Sequence, residues 1–201
     1  MKPRPRRLLP IANNARYGDD DSQPLIVPRN DRALTPITPD RVRRLRKHLI
    51  EALRAPRPPQ TPERNAALLP DFVAHVAQTA CTLCQGWCCK GGGEHAYLDE
   101  GTLARLRRAM PGLQARAILR LYLDRVPENG AKGSCIFHGG QGCRLDPSQR
   151  SDVCNSYFCG GLGTYITRGD ATRPVTIFAG EGPKLRVSPA LRPGTRGPHA
   201  P

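Results

Sequence analysis

Eight cysteines limit what this chain can fold into more than any other feature. Cys81, Cys84, Cys88 and Cys89 fall within nine positions as C-T-L-C-Q-G-W-C-C, and Cys135, Cys143, Cys154 and Cys159 lie within a second window of 25 residues. If thiols from the two windows meet, they close a loop of more than 40 residues. A chain with only 38% hydrophobic and 5% aromatic residues has few other means of ordering so long a segment.

Metal ligation, disulfides and buried apolar thiols are the three chemistries open to such a pattern. A C-x2-C pair is the commonest thiolate pair of zinc and iron-sulfur sites, because the chain turns back between the cysteines and lets both sulfurs reach one ion. The side chains of adjacent Cys88 and Cys89 normally diverge, which disfavours a simple local disulfide. Eight cysteines in 201 residues is about 4%, below the roughly 8–10% that marks a small disulfide scaffold. The basic start, M-K-P-R-P-R-R-L-L-P, is not followed by an apolar segment of the export type. The expectation is therefore a cytoplasmic protein with reduced thiols, and metal ligation is preferred over the other two readings.

The net charge of +14 belongs mostly to the ends. Residues 1–60 carry 14 Lys and Arg against 6 Asp and Glu, residues 61–170 carry 12 against 10, and residues 171–201 carry 5 against 1. A basic arm of this kind suits an acidic protein, nucleic acid or an anionic membrane surface. Arginine outnumbers lysine 26 to 5, so a compositional bias accounts for part of the charge. No run approaches the roughly 18 apolar residues of a transmembrane segment.

The pattern along the chain predicts a mainly α, small, irregular, metal-stapled domain with Gly/Pro-rich loops and disordered termini. Residues 1–37 read as a disordered basic arm, and 38–55 as a basic amphipathic helix opened by Thr38-Pro39-Asp40 with Val42, Leu45, Leu49 and Leu53 on its stripe. Residues 56–62 read as a Pro-rich linker, 63–170 as the cysteine-cluster domain, and 171–201 as a flexible Pro/Gly/Arg-rich tail holding one short strand, Val-Thr-Ile-Phe. Within the domain, helices are expected from Pro62 to Thr79 with a break at Pro70, from Asp99 to Met110, and from Leu113 to Arg125. Gly91-Gly92-Gly93 reads as a flexible turn, and the second cysteine window as irregular.

The candidate metal ligands are Cys81, Cys84, Cys88, Cys89, Cys135, Cys143, Cys154 and Cys159, for zinc or an iron-sulfur cluster. Cys88 and Cys89 are placed to face opposite sides, serving two metals or one metal and one reactive position. His138 and His95 lie close enough to cysteines to replace a thiolate, with a solvated ring as the ordinary alternative. Trp87 reads as a shield over the site, or as a stacking platform for a base. Asp146, Asp152 and Tyr157 are acid-base candidates, although turn-forming and local hydrogen bonding account for them more simply. No glycine motif for nucleotides and no H-E-x-x-H is present, so the chain is not assigned to a reaction class.

Over roughly residues 78–160 the chain resembles the YkgJ-like cysteine-cluster family, described as a zinc- or iron-chelating C-x-x-C-x-x-C-C domain. Cys81, Cys84, Cys88 and Cys89 match the opening of the family pattern, and Cys135-Ile136-Phe137, Gly142-Cys143, Arg150 and Cys154 match its second half. The chain departs from the pattern at Leu145 and Ser151 and by one additional residue before Cys154, and Cys159 lies beyond the usual final cysteine. The resemblance implies metal chelation by these thiolates and carries no shared activity. The expected function is thus metal binding, with a cluster-dependent redox enzyme or enzyme subunit as one alternative. The other is a zinc-stabilised nucleic-acid-binding protein that uses its basic arm, residues 1–60.

Overall fold

Two apolar cores, one under a small sheet and one among helices, share the chain between them. The structure, a computed structural model, describes residues 21–56 and 69–194. Most of the basic arm, most of the expected linker and the last residues of the tail lie outside the described residues.

The first strand, β1 (Gln23–Val27), carries Leu25 and Val27 inward and leaves Ile26 exposed. After the short β2 (Leu34–Pro36), helix α1 (Pro39–Arg54) starts as the sequence predicts. Thr38 Oγ1 accepts the Arg41 N–H, Pro39 occupies a position that needs no donor, and Asp40 faces the positive helix end. Leu45 and Leu49 are fully buried, each contributing about 1.5–3 kcal/mol by leaving water.

Helix α2 (Asp71–Cys84) begins just after Pro70 and ends on the second cysteine. Helix α3 (Glu100–Ala109) is capped by Asp99, whose Oδ1 accepts the Thr102 N–H at 2.7 Å, and α4 (Ala115–Leu123) buries Ile118 and Tyr122. Strand β3 (Asn129–Ala131) pairs antiparallel with β2, and β4 (His138–Gly139) with β5 (Gly142–Cys143). Two more helices, α5 (Asp152–Ser156) and α6 (Gly160–Arg168), lead to β6 (Val175–Ala179) and β7 (Arg186–Val187).

The sheet order is β1-β6-β7, with β1 parallel and β7 antiparallel to the central β6. Every residue of β6 is buried, so V-T-I-F-A lacks the alternating burial of a strand with one wet face. Pro24 is tolerated because β1 is an edge strand. Leu25, Val27, Val76, Leu162, Val175 and Ile177 build the sheet core, and Leu45, Leu49, Leu103, Leu106, Ile118 and Phe137 build the helical core.

The expected mainly α, metal-stapled domain with disordered termini is corrected on three points. The fold is a mixture of helices and small sheets, and its central strand comes from the segment read as a flexible tail. Part of the arm, residues 23–27 and 34–36, is paired strand; the surrounding Pro and Arg masked two short runs that gain their order from distant partners. Stapling by metal is not what joins the windows: among the described residues no group of three or more His, Cys, Asp or Glu side chains is placed to hold an ion. Apolar packing and backbone hydrogen bonds do the joining. Among the described residues no helix is long and apolar enough to cross a membrane.

Candidate metal centre

Cys81 and Cys84 stand three apart on the last turn of α2 and therefore share a face. The helix stops because Gln85 and Gly86 both adopt left-handed backbone, φ 55° and 82°, which turns the chain sharply. That turn aims the N–H groups of Trp87 and Gly86 back at the Cys84 sulfur, where they favour its thiolate, although burial still raises Cys84 above the usual thiol value. A 3-10 helix, Trp87–Gly91, then carries Cys88 and Cys89.

The two windows are joined by main chain. Cys135 N–H donates to Cys89 O at 3.0 Å, and Ile136 N–H to Gly93 O at 2.8 Å. A Cβ on Gly92 would come within 2.8 Å of Cys135 Cβ and 3.0 Å of its sulfur. Gly91-Gly92-Gly93 is thus a seat against which the second window packs, not a flexible turn. Arg41, on α1, pairs with Glu94 at 2.9 Å and donates to Ser134 O at 2.6 Å, tying the helix to the same loop.

All eight cysteines are free. Cys84 and Cys135 are buried, Cys89, Cys143 and Cys159 half-buried, and Cys81, Cys88 and Cys154 exposed. Crowding by neighbouring atoms raises Cys81 to about 11, with the charges of Cys88, Cys84 and Cys159 adding to it. Burial raises Cys135 to about 12, against a hydrogen bond from Phe137 N–H. The adjacent Cys88 and Cys89 side chains act on each other, which pulls Cys88 below the usual thiol value and pushes Cys89 above it. Cys154 is raised by burial, opposed by the Ser151 hydroxyl. The Arg150 guanidinium favours the thiolates of Cys81, Cys88 and Cys154 together. Its side chain is fixed by an Nε bond to Leu145 O at 2.9 Å.

The histidines are not where a ligand needs them. His138 is fully buried; its Nε2–H donates to Gln85 O at 2.8 Å and its Nδ1 accepts the Ser134 hydroxyl at 2.7 Å. The Gln85 carbonyl can only accept, so it fixes the tautomer. Burial lowers the His138 pKa, which keeps the ring neutral. With both nitrogens engaged, His138 braces the left-handed turn after α2 against the second window. His95 is exposed, its Nδ1 accepting the Tyr97 N–H, and its ring lies 5.7 Å from those of His48 and Tyr97.

Of the acid-base candidates, Asp146 closes a capping box with Gln149 and pairs with Arg125 at 3.1 Å, and Asp152 pairs with Arg105 at 3.0 Å. Tyr157 is exposed. Trp87 packs partly against the sheet core, with Lys90 Nζ 3.8 Å from its ring centroid. The sequence carries no sign of the roles of Gly86 and Ser134, and shows Gly92 only as part of a turn and Ser151 only as a departure from the family pattern, because these roles depend on close approach or a single hydrogen bond and leave no pattern along the chain.

The donor chemistry fits a thiophilic metal: unpaired sulfurs, backbone N–H groups on the sulfur atoms, and a fixed guanidinium nearby. The sulfurs are gathered but not closed around a point. No family model, curated protein or solved structure matches this chain.

Proposed function

We propose that the protein binds zinc or an iron-sulfur cluster through its clustered cysteine thiolates, in keeping with the YkgJ-like resemblance of residues 78–160. The observation that carries this reading is that all eight thiols are free and that the fold brings cysteines of both windows together, Cys89 with Cys135 and Cys143 at the helical core and Cys84 with Cys159 at the sheet core. Metal binding would draw the sulfurs in to about 2.3 Å from the ion, each thiol releasing its proton to solvent. Bound metal would then be an addition to a scaffold that packing has already built. Such thiols need a reducing compartment, and the cytoplasm is the proposed location. Elemental analysis and a visible spectrum on protein purified without oxygen test the reading. Stoichiometric colourless zinc, or iron with matching acid-labile sulfide and a brown chromophore, supports it; neither metal refutes it.

A second reading rests on α1. Arg43, Arg46, Lys47 and Arg54, with a single acid, Glu51, 3.9 Å from Lys47, line a shallow groove around Ile50 on the helix's outer side. We propose that this face holds the phosphate backbone of a nucleic acid. Binding of labelled DNA by the full chain would weaken steeply with salt, by about 0.9 log units in affinity per log unit of salt for each phosphate contact. Replacing Arg43, Arg46 and Lys47 by Glu would abolish it, and a salt-independent affinity would refute it.

A further inference from the structure

The parallel strands β1 and β6 end side by side, with Val27 paired to Ala179. Clefts form beyond the carboxyl ends of parallel strands because the chain leaves each strand in its own direction. Here the exits diverge: residues 28–31 run towards α2, where Cys84 O accepts the Asn30 N–H at 2.8 Å, whereas residues 180–184 turn back into β7. Between them, and lined also by Trp87, lies a cleft of about 460 Å³, a size that falls within the roughly 300–1,000 Å³ of small-molecule sites.

Arg29 is the fixed element of this cleft. Its Nη1 donates to Lys184 O at 2.7 Å and its Nη2 to Gln85 Oε1 at 3.1 Å, so one guanidinium joins both exits to the turn after α2. A Cβ on Gly180 would lie 3.0 Å from Arg29 Cβ, so the chain after β6 rests on the arginine stem. Both acceptors are neutral, Nε is buried without one, and among the described residues the group has no carboxylate partner. Each outer nitrogen keeps a second N–H. The opposite charge is present as well: Asp31 and Glu181 line the cleft, both exposed and neither in an ion pair among the described residues. The remaining wall is apolar, from Val27, Pro28 and Ile26, the last 50% exposed although it lies within a strand.

A fixed cation, two unpaired carboxylates and an apolar wall in one cleft suit a ligand that carries both charges and a hydrocarbon group. A simple anion would meet the two acids, and a simple cation would meet Arg29 and Lys184. We propose that this cleft binds a free α-amino acid with an apolar side chain, its carboxylate on the Arg29 guanidinium, its ammonium facing Asp31 and Glu181, and its side chain against Ile26 and Pro28. Charge-assisted bonds at the two ends orient the ligand. The cleft uses none of the thiols, so the proposal stands apart from metal binding.

Trp87 is the only tryptophan of the chain and lines the cleft, so its fluorescence reports occupancy. The test titrates the full-length reduced chain with L-leucine and with L-phenylalanine, following Trp87 emission and the heat of binding together. Saturable uptake of one equivalent is expected, with a shift in the emission. L-Leucinamide, which lacks the carboxylate, and isocaproate, which lacks the ammonium, should each bind more weakly than leucine by about tenfold or more. Arg29→Gln should erase the preference for leucine over leucinamide, and Asp31→Asn combined with Glu181→Gln should erase that over isocaproate, each variant being checked for folding by circular dichroism. No binding of either amino acid at millimolar concentration would overturn the proposal. So would leucinamide or isocaproate binding as tightly as leucine, or either preference surviving in the variant meant to remove it. If Arg29→Gln fails to fold, the comparison of leucine with its two analogues on the wild-type chain decides alone.

Discussion

Gly86→Ala is the substitution on which the geometry around the thiols makes its sharpest demand. Gly86 has φ +82°, and a Cβ there would lie 2.7 Å from His138 Nε2, 3.1 Å from its Cδ2 and 3.3 Å from Cys89 Sγ. The left-handed conformation alone costs alanine about 1–2 kcal/mol. His138 is fully buried and cannot retreat into solvent, so the methyl group must displace its ring from Gln85 O. Leaving that buried pair unmade costs about 1–3 kcal/mol, for a total of about 2–5 kcal/mol. Gly112 is the internal control, since its φ is +88° and nothing lies within 4 Å of the added Cβ. Gly112→Ala should therefore cost only the conformational term, about 1–2 kcal/mol. Urea unfolding of both variants under reductant and chelator, followed by circular dichroism, reads the difference without any contribution from metal. Equal losses, within about 0.5 kcal/mol, a margin on the scale of a harmless surface change, would refute the claim that His138 braces the turn.

Three further outcomes are expected. A Cβ on Gly161 would run into the Ile26 carbonyl, whereas one on Gly163 meets nothing within 4 Å; by urea midpoint, Gly161→Ala should lose more than about 2 kcal/mol and Gly163→Ala should be neutral or gain up to about 1 kcal/mol. Tyr122 donates to Gln149 O at 2.9 Å, and burial raises its pKa from 10.0 to about 12. The folded chain then keeps a proton that the unfolded chain releases, so this contribution is complete below pH 10 and lost as pH rises towards 12; the stability difference between wild type and Tyr122→Phe should shrink across that window. Finally, chelator treatment should leave the far-ultraviolet circular dichroism at neutral pH unchanged, because packing holds both cores together; collapse of the helical signal would show that the scaffold depends on metal after all.

What the sequence makes legible is local. The start of α1 is written in Thr38-Pro39-Asp40 and that of α3 in Asp99, because caps act within one turn. The apolar run of β6 is visible too, but its neighbour is not: β1 pairs with it across about 150 residues, and no local pattern encodes that match. Helix α6 is hidden for another reason. Its G-G-L-G start looks like a loop, yet Gly161 is the residue that lets the helix lie directly on the β1 backbone. At the site, the cysteines themselves are conspicuous, while the core that each one joins is set by packing, Cys84 and Cys159 with the sheet and Cys89, Cys135 and Cys143 with the helices. A buried histidine near cysteines looks like a ligand until both of its nitrogens are seen to be engaged.

The parallel pairing of β1 with β6 also imposes a sequence of events on the ribosome. The helical core draws on residues 37–145, and its pieces can meet as soon as that stretch has emerged. The sheet core has no central strand until residues 175–179 are synthesised. Leu25 and Val27 must therefore wait, unpaired, through most of translation, and closing so long a loop is slow. The thiols of Cys89, Cys135 and Cys143 acquire their surroundings early in this order, and those of Cys84 and Cys159 late. The sulfurs beside α6 are accordingly the last to settle, long after those of the helical core have found their neighbours.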